Sequence, residues 1–413
     1  MSSQKKAFAR KFLIYINIHM ETNLKQRNSC LRLFFAGDFC SKPSTARIIV
    51  SDELKDLIQS CDFSVVNFEV PLKPENVDLP PQKRERFFQH DDTPGFLRDL
   101  GFNLFQLANN HAFDWGDEGF KKTKAAFGDA TFGAGTYEEA YKVKVVEKDG
   151  VKIGFLALSF AAYKGVFDDL MNHEGLGCAY IHDLKVNHVI IESKKEVDYL
   201  FVLPHDGIEY IDIPMPETIA RYRDFIDYGA DGVIGTHPHC PQGWETYKGK
   251  PIFYSLGNFL FNSKEGYDYR VLNKPQWYEG ICVLMTIADN GILSWEAINT
   301  KNVDNLGIKI DHESERNGYN KLICSALNDK ETYAKSLKRV CQELGVKEMA
   351  IIDKTFHTAT LKQSTISLLR CWKRKFFKQS VKDNSLQRLL THDTRRHLLM
   401  WTLKKQWQQK LPV

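Results

Sequence analysis

Residues 230–261 read "ADGVIGTHPHCPQGWETYKGKPIFYSLGNFLF", and the fold class follows from their pattern. The stretch holds two short apolar runs, "DGVIG" and "PIFYSLG", each bounded by Gly, Asp or Pro. Continuous apolar runs of that length are what strands buried on both faces look like. Each run hands on to polar residues: the first to His237 and His239, the second to Asn258. Pro238 stands between the two histidines and biases His237 towards extended geometry. A chain folding only for stability has little use for two imidazoles locked in register, so the pair predicts a ligand.

The same texture recurs from Leu31 to about Thr300. Further strand candidates are "LRLFFAG", "FSVVNFE", "NLFQLAN", "VKIGFLALS", "DYLFVLP", "GICVLMTI" and "GILSWEAI". Between them lie helical patterns at Asp52–Ser60, Thr93–Leu100, Gly116–Phe127, Leu184–Lys195 and Pro216–Tyr228, the first with Ser51 and Asp52 as start signals. Alternation of this kind predicts a layered α/β domain. The last two strands have no helix between them and contain Asn290-Gly291, which predicts an antiparallel hairpin and a mixed sheet. After about residue 310 the strand signals stop, and two long segments read as helical.

The residues just beyond the strands carry the chemistry. "LRLFFAG" leads to Asp38. "SVVNFE" carries Asn67 and Glu69, two apart and therefore on one face. "FQLANNHAFDWG" brings Asn109, Asn110, His111 and Asp114, and "LFVLPHDGIEY" brings His205, Asp206 and Glu209. Taken singly, Asp38 reads as a turn or cap, "ANNH" as an Asx-type turn, and His205 as a satisfied core histidine. Glu69 in an otherwise apolar strand is costly to bury without a partner. Taken together, six strand ends supply carboxylate, amide and imidazole donors with no cysteine, where open α/β sheets bind ligands. That donor set suits Mn²⁺, Zn²⁺, Fe or Mg²⁺, in an open site suited to catalysis.

Composition bounds the rest. With 413 residues, 43% apolar and 26% charged, the chain is an ordinary globular one. Its net charge of +4 hides an asymmetry: residues 362–413 hold 13 Lys/Arg against 2 Asp/Glu, and the remainder 43 against 50. Nine scattered cysteines without a CxxC pair argue against a disulfide framework and for a reducing compartment. The short apolar run "FLIYINI" fails as a signal peptide or membrane span, so residues 1–30 are expected to be a flexible segment and the protein cytoplasmic.

The stretches "AGDF", "NFEVPL", "LANNHAFDWGDEG", "LPHDGIEY" and "IGTHPHCPQGWETYKGKPIFYSLGNFLF" resemble, in order, the bacterial capsule-synthesis CapA family, also called the poly-γ-glutamate capsule protein family. "ANNHxxDxG" and "HPHxxQxxExYxGxxIxYSLGNFxF" are the most specific blocks. The resemblance implies a metallophosphoesterase-like two-sheet α/β sandwich over residues 31–305, with a helical basic C-terminal region over 306–413. It also implies up to two divalent ions. Asp38 and His239 would hold the first and Glu69 would bridge, with Asn110, His205 and His237 on the second. His111 would act as general acid or electrostatic stabiliser beside Asp114. Asn109, Glu209, Gln242, Glu245 and Asn258 would support the ligands or touch substrate. Three residues depart from the pattern. Cys40 stands where calcineurin-type enzymes usually carry a histidine, which predicts a weaker first ion and makes His237 the better-partnered histidine. Thr236 stands where many relatives have another histidine, and Asp206 where a neutral residue is commoner.

The resemblance implies two functions from different classes. One is a metal-dependent hydrolase acting on a phosphoester, or on an amide or ester of a capsule or exopolysaccharide polymer. The other is a non-catalytic, membrane-peripheral accessory of the machinery that makes or exports the polymer. The basic tail, with "LLRCWKRKFF" and "RRHLLMWTLKKQW", reads first as a helical extension packed on the sandwich. Contact with an anionic membrane surface through residues 362–413 comes second. Nucleic acid is disfavoured, because no recognisable motif accompanies the charge.

Overall fold

A computed structural model describes residues 30–342, apart from 76, 78–86, 162–164, 168–173, 263–274, 289–290, 292, 305, 313–319, 322 and 326. The expected flexible segment 1–30 (but for Cys30) and the basic tail 362–413 lie outside the described residues.

Along the chain the strands are β1 (Leu31–Ser41), β2 (Ile49–Val50), β3 (Phe63–Phe68), β4 (Leu104–Gln106), β5 (Thr131–Phe132), β6 (Ala134–Gly135), β7 (Lys144–Lys148), β8 (Val151–Ser159) and β9 (Gly177–Cys178). They continue as β10 (Tyr199–His205), β11 (Gly232–Ile234), β12 (Trp244–Tyr247), β13 (Lys250–Phe253), β14 (Asn258–Asn262), β15 (Glu279–Ile287), β16 (Leu293–Val303) and β17 (Gly307–Ile310). The helices are α1 (Asp52–Gln59), α2 (Thr93–Asp99), α3 (Gly116–Phe127), α4 (Tyr137–Tyr141), α5 (Leu184–Lys194), α6 (Pro216–Asp227) and α7 (Lys330–Val340). At the start of α1, Ser51 makes no side-chain capping bond, and Asp52 and Glu53 complement the helix dipole instead.

Two mixed sheets face each other. The first runs β2-β17-β16-β15-β1-β3-β4-β5, with β14 also paired to β1; the second runs β12-β13-β11-β10-β8-β7. The alternation of side chains explains why the runs are apolar throughout. Phe35 of β1 points between the sheets, where its ring lies 5.6 Å from that of Phe201 and 6.1 Å from that of Phe155. Its neighbour Phe34 points outward, 6.2 Å from Phe102. In the second sheet Phe155, Phe201 and Phe253 face the inter-sheet core. Leu156, Leu200 and Ile252 face the outer layer with Val186, Ile190, Tyr222 and Phe225 of α5 and α6. The fold is therefore an α/β sandwich of two sheets with helices outside.

Three details depart from the sequence expectation. "PIFYSLGNFLF" is two strands in different sheets: β13 ends at Phe253, the chain crosses over, and β14 pairs parallel to β1. Asn258 thus opens a strand instead of closing one. The first sheet also runs past residue 305, because β17 adds to β16 and β2 beyond that point. Beyond it, Asn320 donates to Asn299 Oδ1 at 2.6 Å, which ties residue 320 to β16. The β15–β16 hairpin forms as expected, with Gly291 at φ +77°, while Asn290 lies outside the described residues. None of the eight described cysteines forms a disulfide with another described residue.

Candidate metal centre

The site forms where β1 changes partner. Leu31–Phe35 pair with β15, whereas Asp38–Ser41 pair with β14, and the register also slips against β3 between Ala36 and Asp38. A slip of this kind re-aims a side chain. By simple alternation Asp38 would share the outward face of Phe34; the slip turns it inward. Gly37 permits the close approach. A Cβ there would lie 1.9 Å from the Gly257 carbonyl oxygen, which accepts the Asp38 N–H at 3.0 Å.

Asp38 is fully buried. Its Oδ1 accepts from Asn67 Nδ2 at 2.7 Å and its Oδ2 from the His237 backbone N–H at 3.1 Å. Burial nevertheless dominates and pushes its carboxyl up to about 7. Glu69 follows β3 on the same face as Asn67, as period two requires. Both its carboxylate oxygens are buried without a hydrogen-bond partner among the described residues. Burial, then the charges of Asp38 and Glu209, drive its pKa well above the ordinary carboxylate range. Around Glu69 Oε1 stand three imidazole nitrogens: His239 Nε2 at 3.6 Å, His205 Nε2 at 3.9 Å and His111 Nε2 at 3.9 Å.

The amides set the tautomers. Asn258 Nδ2 donates to the Trp277 carbonyl at 3.0 Å, so its Oδ1 is the acceptor for His239 Nδ1–H at 2.9 Å. That leaves the His239 Nε2 lone pair facing Glu69. Burial lowers the His239 pKa to about 3, so the ring is neutral and able to donate a lone pair. Asn67 Nδ2 sits 3.2 Å from His205 Nδ1, which assigns the His205 hydrogen to Nε2, 2.8 Å from Asn110 Oδ1. Burial, then the charges of His239 and His111, hold His205 neutral, with its pKa well below the usual imidazole value. His237 Nδ1 lies 3.2 Å from His205 Nε2, and its ring packs 4.4 Å from Phe160.

At the mouth, His111 Nδ1 bonds Asp114 Oδ2 at 2.8 Å. Covering the ring pushes its pKa down, but the charge and hydrogen bond of Asp114 outweigh this and raise it. Asn109 accepts the His111 N–H at 3.1 Å and donates to the Phe68 carbonyl at 3.0 Å, fixing the turn to the end of β3. Glu209 lies partly exposed near the pocket, and its charge acts on Glu69 and His111.

Among the described residues, the ligand atoms of Asp38, Glu69 and His239 lie within 4.8 Å of one another. The residues assigned to the first ion are drawn together, and beside them His205 Nε2 lies 2.8 Å from Asn110 Oδ1 and 3.2 Å from His237 Nδ1. Cys40 does not join the cluster. Its thiol is buried with Val70, Phe261 and Trp277, and burial holds it neutral, far above its ordinary pKa. Glu245 is also engaged elsewhere: its carboxylate takes a bidentate pair from Arg223 at 2.7 and 2.6 Å and the Tyr254 hydroxyl at 2.6 Å. Gln242 donates to the carbonyls of Ile211 and Ile213 at 2.8 and 3.2 Å, bracing a loop. The extended geometry expected of His237 also fails, since its φ is +100°.

Sequence reasoning missed Asn67 as the residue that joins Asp38 to His205, although its period-two relation to Glu69 was a usable signal. It also missed Tyr210, whose ring stacks 6.1 Å from that of His239. Non-glycine residues at positive φ gather here: Val70 at +77°, Tyr210 at +64°, His237 at +100° and His239 at +55°. Backbone held in such regions costs on the order of 1–3 kcal/mol per residue and clusters at functional sites.

A model of the family described as "Bacterial capsule synthesis protein PGA_cap" matches residues 32–263, and so includes every residue of this cluster. The PGA biosynthesis protein CapA of Bacillus subtilis (strain 168) is 31% identical over 215 residues, covering 51% of this chain and 56% of that protein. The capsule biosynthesis protein CapA of Bacillus anthracis is 31% identical over 212 residues, covering 50% and 52%. The matched region thus spans about half the length of these curated relatives. A solved structure titled as a novel phosphatase, from Mycoplasma pneumoniae, overlays with TM-score 0.41 at 14% identity, covering 68% of this chain and 97% of that one. Likeness of that degree adds no weight to any reading of the reaction. With the family match extending over more than half of its length, the chain belongs to the bacterial capsule synthesis (PGA_cap) family.

Proposed function

We propose that this protein is a metal-dependent hydrolase of capsule-polymer metabolism, acting on a phosphoester or on an amide or ester of the polymer. One observation carries the reading. Glu69 is an entirely buried carboxyl that accepts no hydrogen bond from an N–H group or hydroxyl among the described residues; it faces the equally buried Asp38 carboxyl and is set among His239, His205 and His111. A naked buried carboxylate costs several kcal/mol, roughly, unless a cation offsets it. The oxygen and nitrogen donor set fits a divalent ion, which Asp38, Glu69 and His239 would hold, with Asn110, His205 and His237 available to a second.

When bound, such an ion supplies Lewis acidity towards a phosphoryl or carbonyl oxygen. The chain's own residues do the rest. Asn258 holds His239 in the tautomer that offers Nε2. Asn67 ties the β1 carboxylate to the β10 imidazole, so the two sheets cannot drift apart at the pocket. His111 keeps its Nδ1 proton on Asp114 and turns Nε2 inward, where a raised pKa favours holding a second proton for a departing oxygen or nitrogen. Phe160, Phe261 and Trp277 pack against His237 and His239 and limit water there.

The relatives' names, which refer to PGA and capsule biosynthesis, support polymer synthesis as the setting, with the polymer and its machinery as partners. The accessory reading draws on Cys40, which leaves the first ion one histidine short of the calcineurin pattern. Elemental analysis of the purified protein, with turnover of bis-p-nitrophenyl phosphate and of poly-γ-glutamate, separates the two. The hydrolase reading expects bound metal and turnover, both lost in Glu69→Gln and His239→Ala. Metal without turnover of either class of substrate favours the accessory; no metal at all sinks the reading of the cluster.

A further inference from the structure

Helix α7 lies outside the residues matched to the family, yet it packs against the loop that lines the pocket. Its residues Leu337 and Val340 bury themselves on Ile208, Ile211, Ile213 and Met215. The Tyr333 hydroxyl donates to the Pro214 carbonyl at 2.9 Å, and Arg339 pairs with Asp212 at 2.8 Å. Asp329 caps the helix, accepting from the N–H groups of Glu331 at 3.2 Å and Thr332 at 3.3 Å, so α7 presents a fixed face.

The other side of the same loop faces the candidate ligands. Residues 206–215 leave directly from His205. Gly207 sits at φ +126°, where a Cβ would lie 2.8 Å from the Pro238 ring. The Tyr210 N–H donates to the Pro238 carbonyl at 2.8 Å, and its ring covers His239 at 6.1 Å with planes 24° apart. Tyr210 holds φ +64°, a conformation that an L-residue keeps only where its surroundings over-determine it. The Pro238 bond holds the loop from within, and α7 holds it from without.

We infer that α7 is a positioning element for the metal pocket, acting through Tyr210: it clamps residues 206–215 so that the Tyr210 ring stays on His239. The inference rests on the reading of Asp38, Glu69 and His239 as metal ligands. It makes α7, which lies beyond residue 306, part of the site's support instead of an appendage.

The test is a double-mutant cycle in the full chain, read by Mn²⁺ affinity in calorimetry and by amide hydrogen exchange over residues 206–215. Tyr210→Ala is expected to weaken Mn²⁺ binding about tenfold, in the range seen when a ligand's supporting contact is lost. Tyr210→Phe, which keeps the ring, should restore it. Leu337→Ala should produce a similar loss and faster exchange over 206–215, and the double variant about tenfold in all, because one path is cut twice. Arg339→Ala, which spares the apolar contact, guards against simple misfolding and should also speed that exchange. A double variant weakened about a hundredfold, or Leu337→Ala with faster exchange but wild-type Mn²⁺ affinity, overturns the role of Tyr210. Unchanged exchange in both α7 variants overturns the clamp. Failure of the wild type to bind Mn²⁺ overturns the metal reading separately, and the exchange measurements still decide whether α7 holds the loop.

Discussion

Replacing Asp38 with Asn should leave the stability of the metal-free protein nearly unchanged at pH 5 and raise it at pH 8. In the fold the Asp38 carboxyl titrates near 7, against an ordinary value of 3.8. Between those values the native state holds a proton that the unfolded chain has released, so stability falls as pH rises and levels off above about 7. At about 1.4 kcal/mol per pH unit, wild type loses on the order of 1–2 kcal/mol to this group at pH 5 and on the order of 4 kcal/mol at pH 8. Asn carries no such penalty. Asp38 does accept from both Asn67 Nδ2 and the His237 N–H, whereas an amide oxygen replaces only one carboxylate oxygen. The lost bond costs about 1–2 kcal/mol. The variant should therefore match wild type at pH 5 and exceed it by roughly 2–3 kcal/mol at pH 8. Urea titrations of the EDTA-treated proteins at the two pH values, followed by tryptophan fluorescence, measure this directly. Adding Mn²⁺ should reverse the order at pH 8, since about 4.1 kcal/mol accrues to wild type at a thousandfold excess over Kd. A difference between variant and wild type that does not change from pH 5 to pH 8 refutes the argument.

Other perturbations test separate parts of the pocket. Asn258→Ala removes the acceptor that fixes the His239 tautomer, and calorimetry should show metal affinity lowered by about ten- to a hundredfold; unchanged affinity would mean the tautomer is set elsewhere. Asp114→Asn removes the charge that raises the His111 pKa, so the His111 ring signal in an NMR titration should move to lower pH. Because a raised folded-state pKa stabilises below the unfolded value and is lost as pH rises through the folded one, this variant should lose stability mainly below neutral pH. Gly37→Ala drives a Cβ into the Gly257 carbonyl and should destabilise by at least about 3 kcal/mol, or abolish soluble expression; wild-type melting would show that β1 and β14 can part without loss.

The strands were legible because buried strands need continuous apolar runs, and those from "LRLFFAG" to "GILSWEAI" all fall within observed strands or overlap them. The residues beyond their ends were legible for a related reason: a carboxylate or imidazole in such company needs a purpose. What could not be read was direction. Whether Asp38 faces in or out depends on a one-residue slip set by Gly37 and Gly257, which lie 220 residues apart in the chain. Glu245 and Gln242 look like pocket residues in a linear motif, but β12 is an edge strand, and Glu245 meets Arg223 of α6. Pro238 constrains the residue before it in isolation, yet His237 takes φ +100° because its N–H is drawn to Asp38. The contribution of Tyr210 and α7 has no local signature at all, since it arises where residues 208–215 and 333–341 meet.

The change of partner in β1 also sets a timetable. Asp38 cannot take its place until Asn258 and Gly257 have arrived to pair with it, and His239 depends on Asn258 for its tautomer. At roughly 5–20 residues per second, a ribosome needs on the order of 10–40 seconds to cover that interval. During that time the N-terminal strands can collapse around Phe34 and Phe35, but Asp38 and Glu69 have no completed pocket. Loading of the ion is thereby deferred until most of the sandwich has been translated, and a nascent chain stalled before Asn258 would expose two carboxylates that bind cations only weakly.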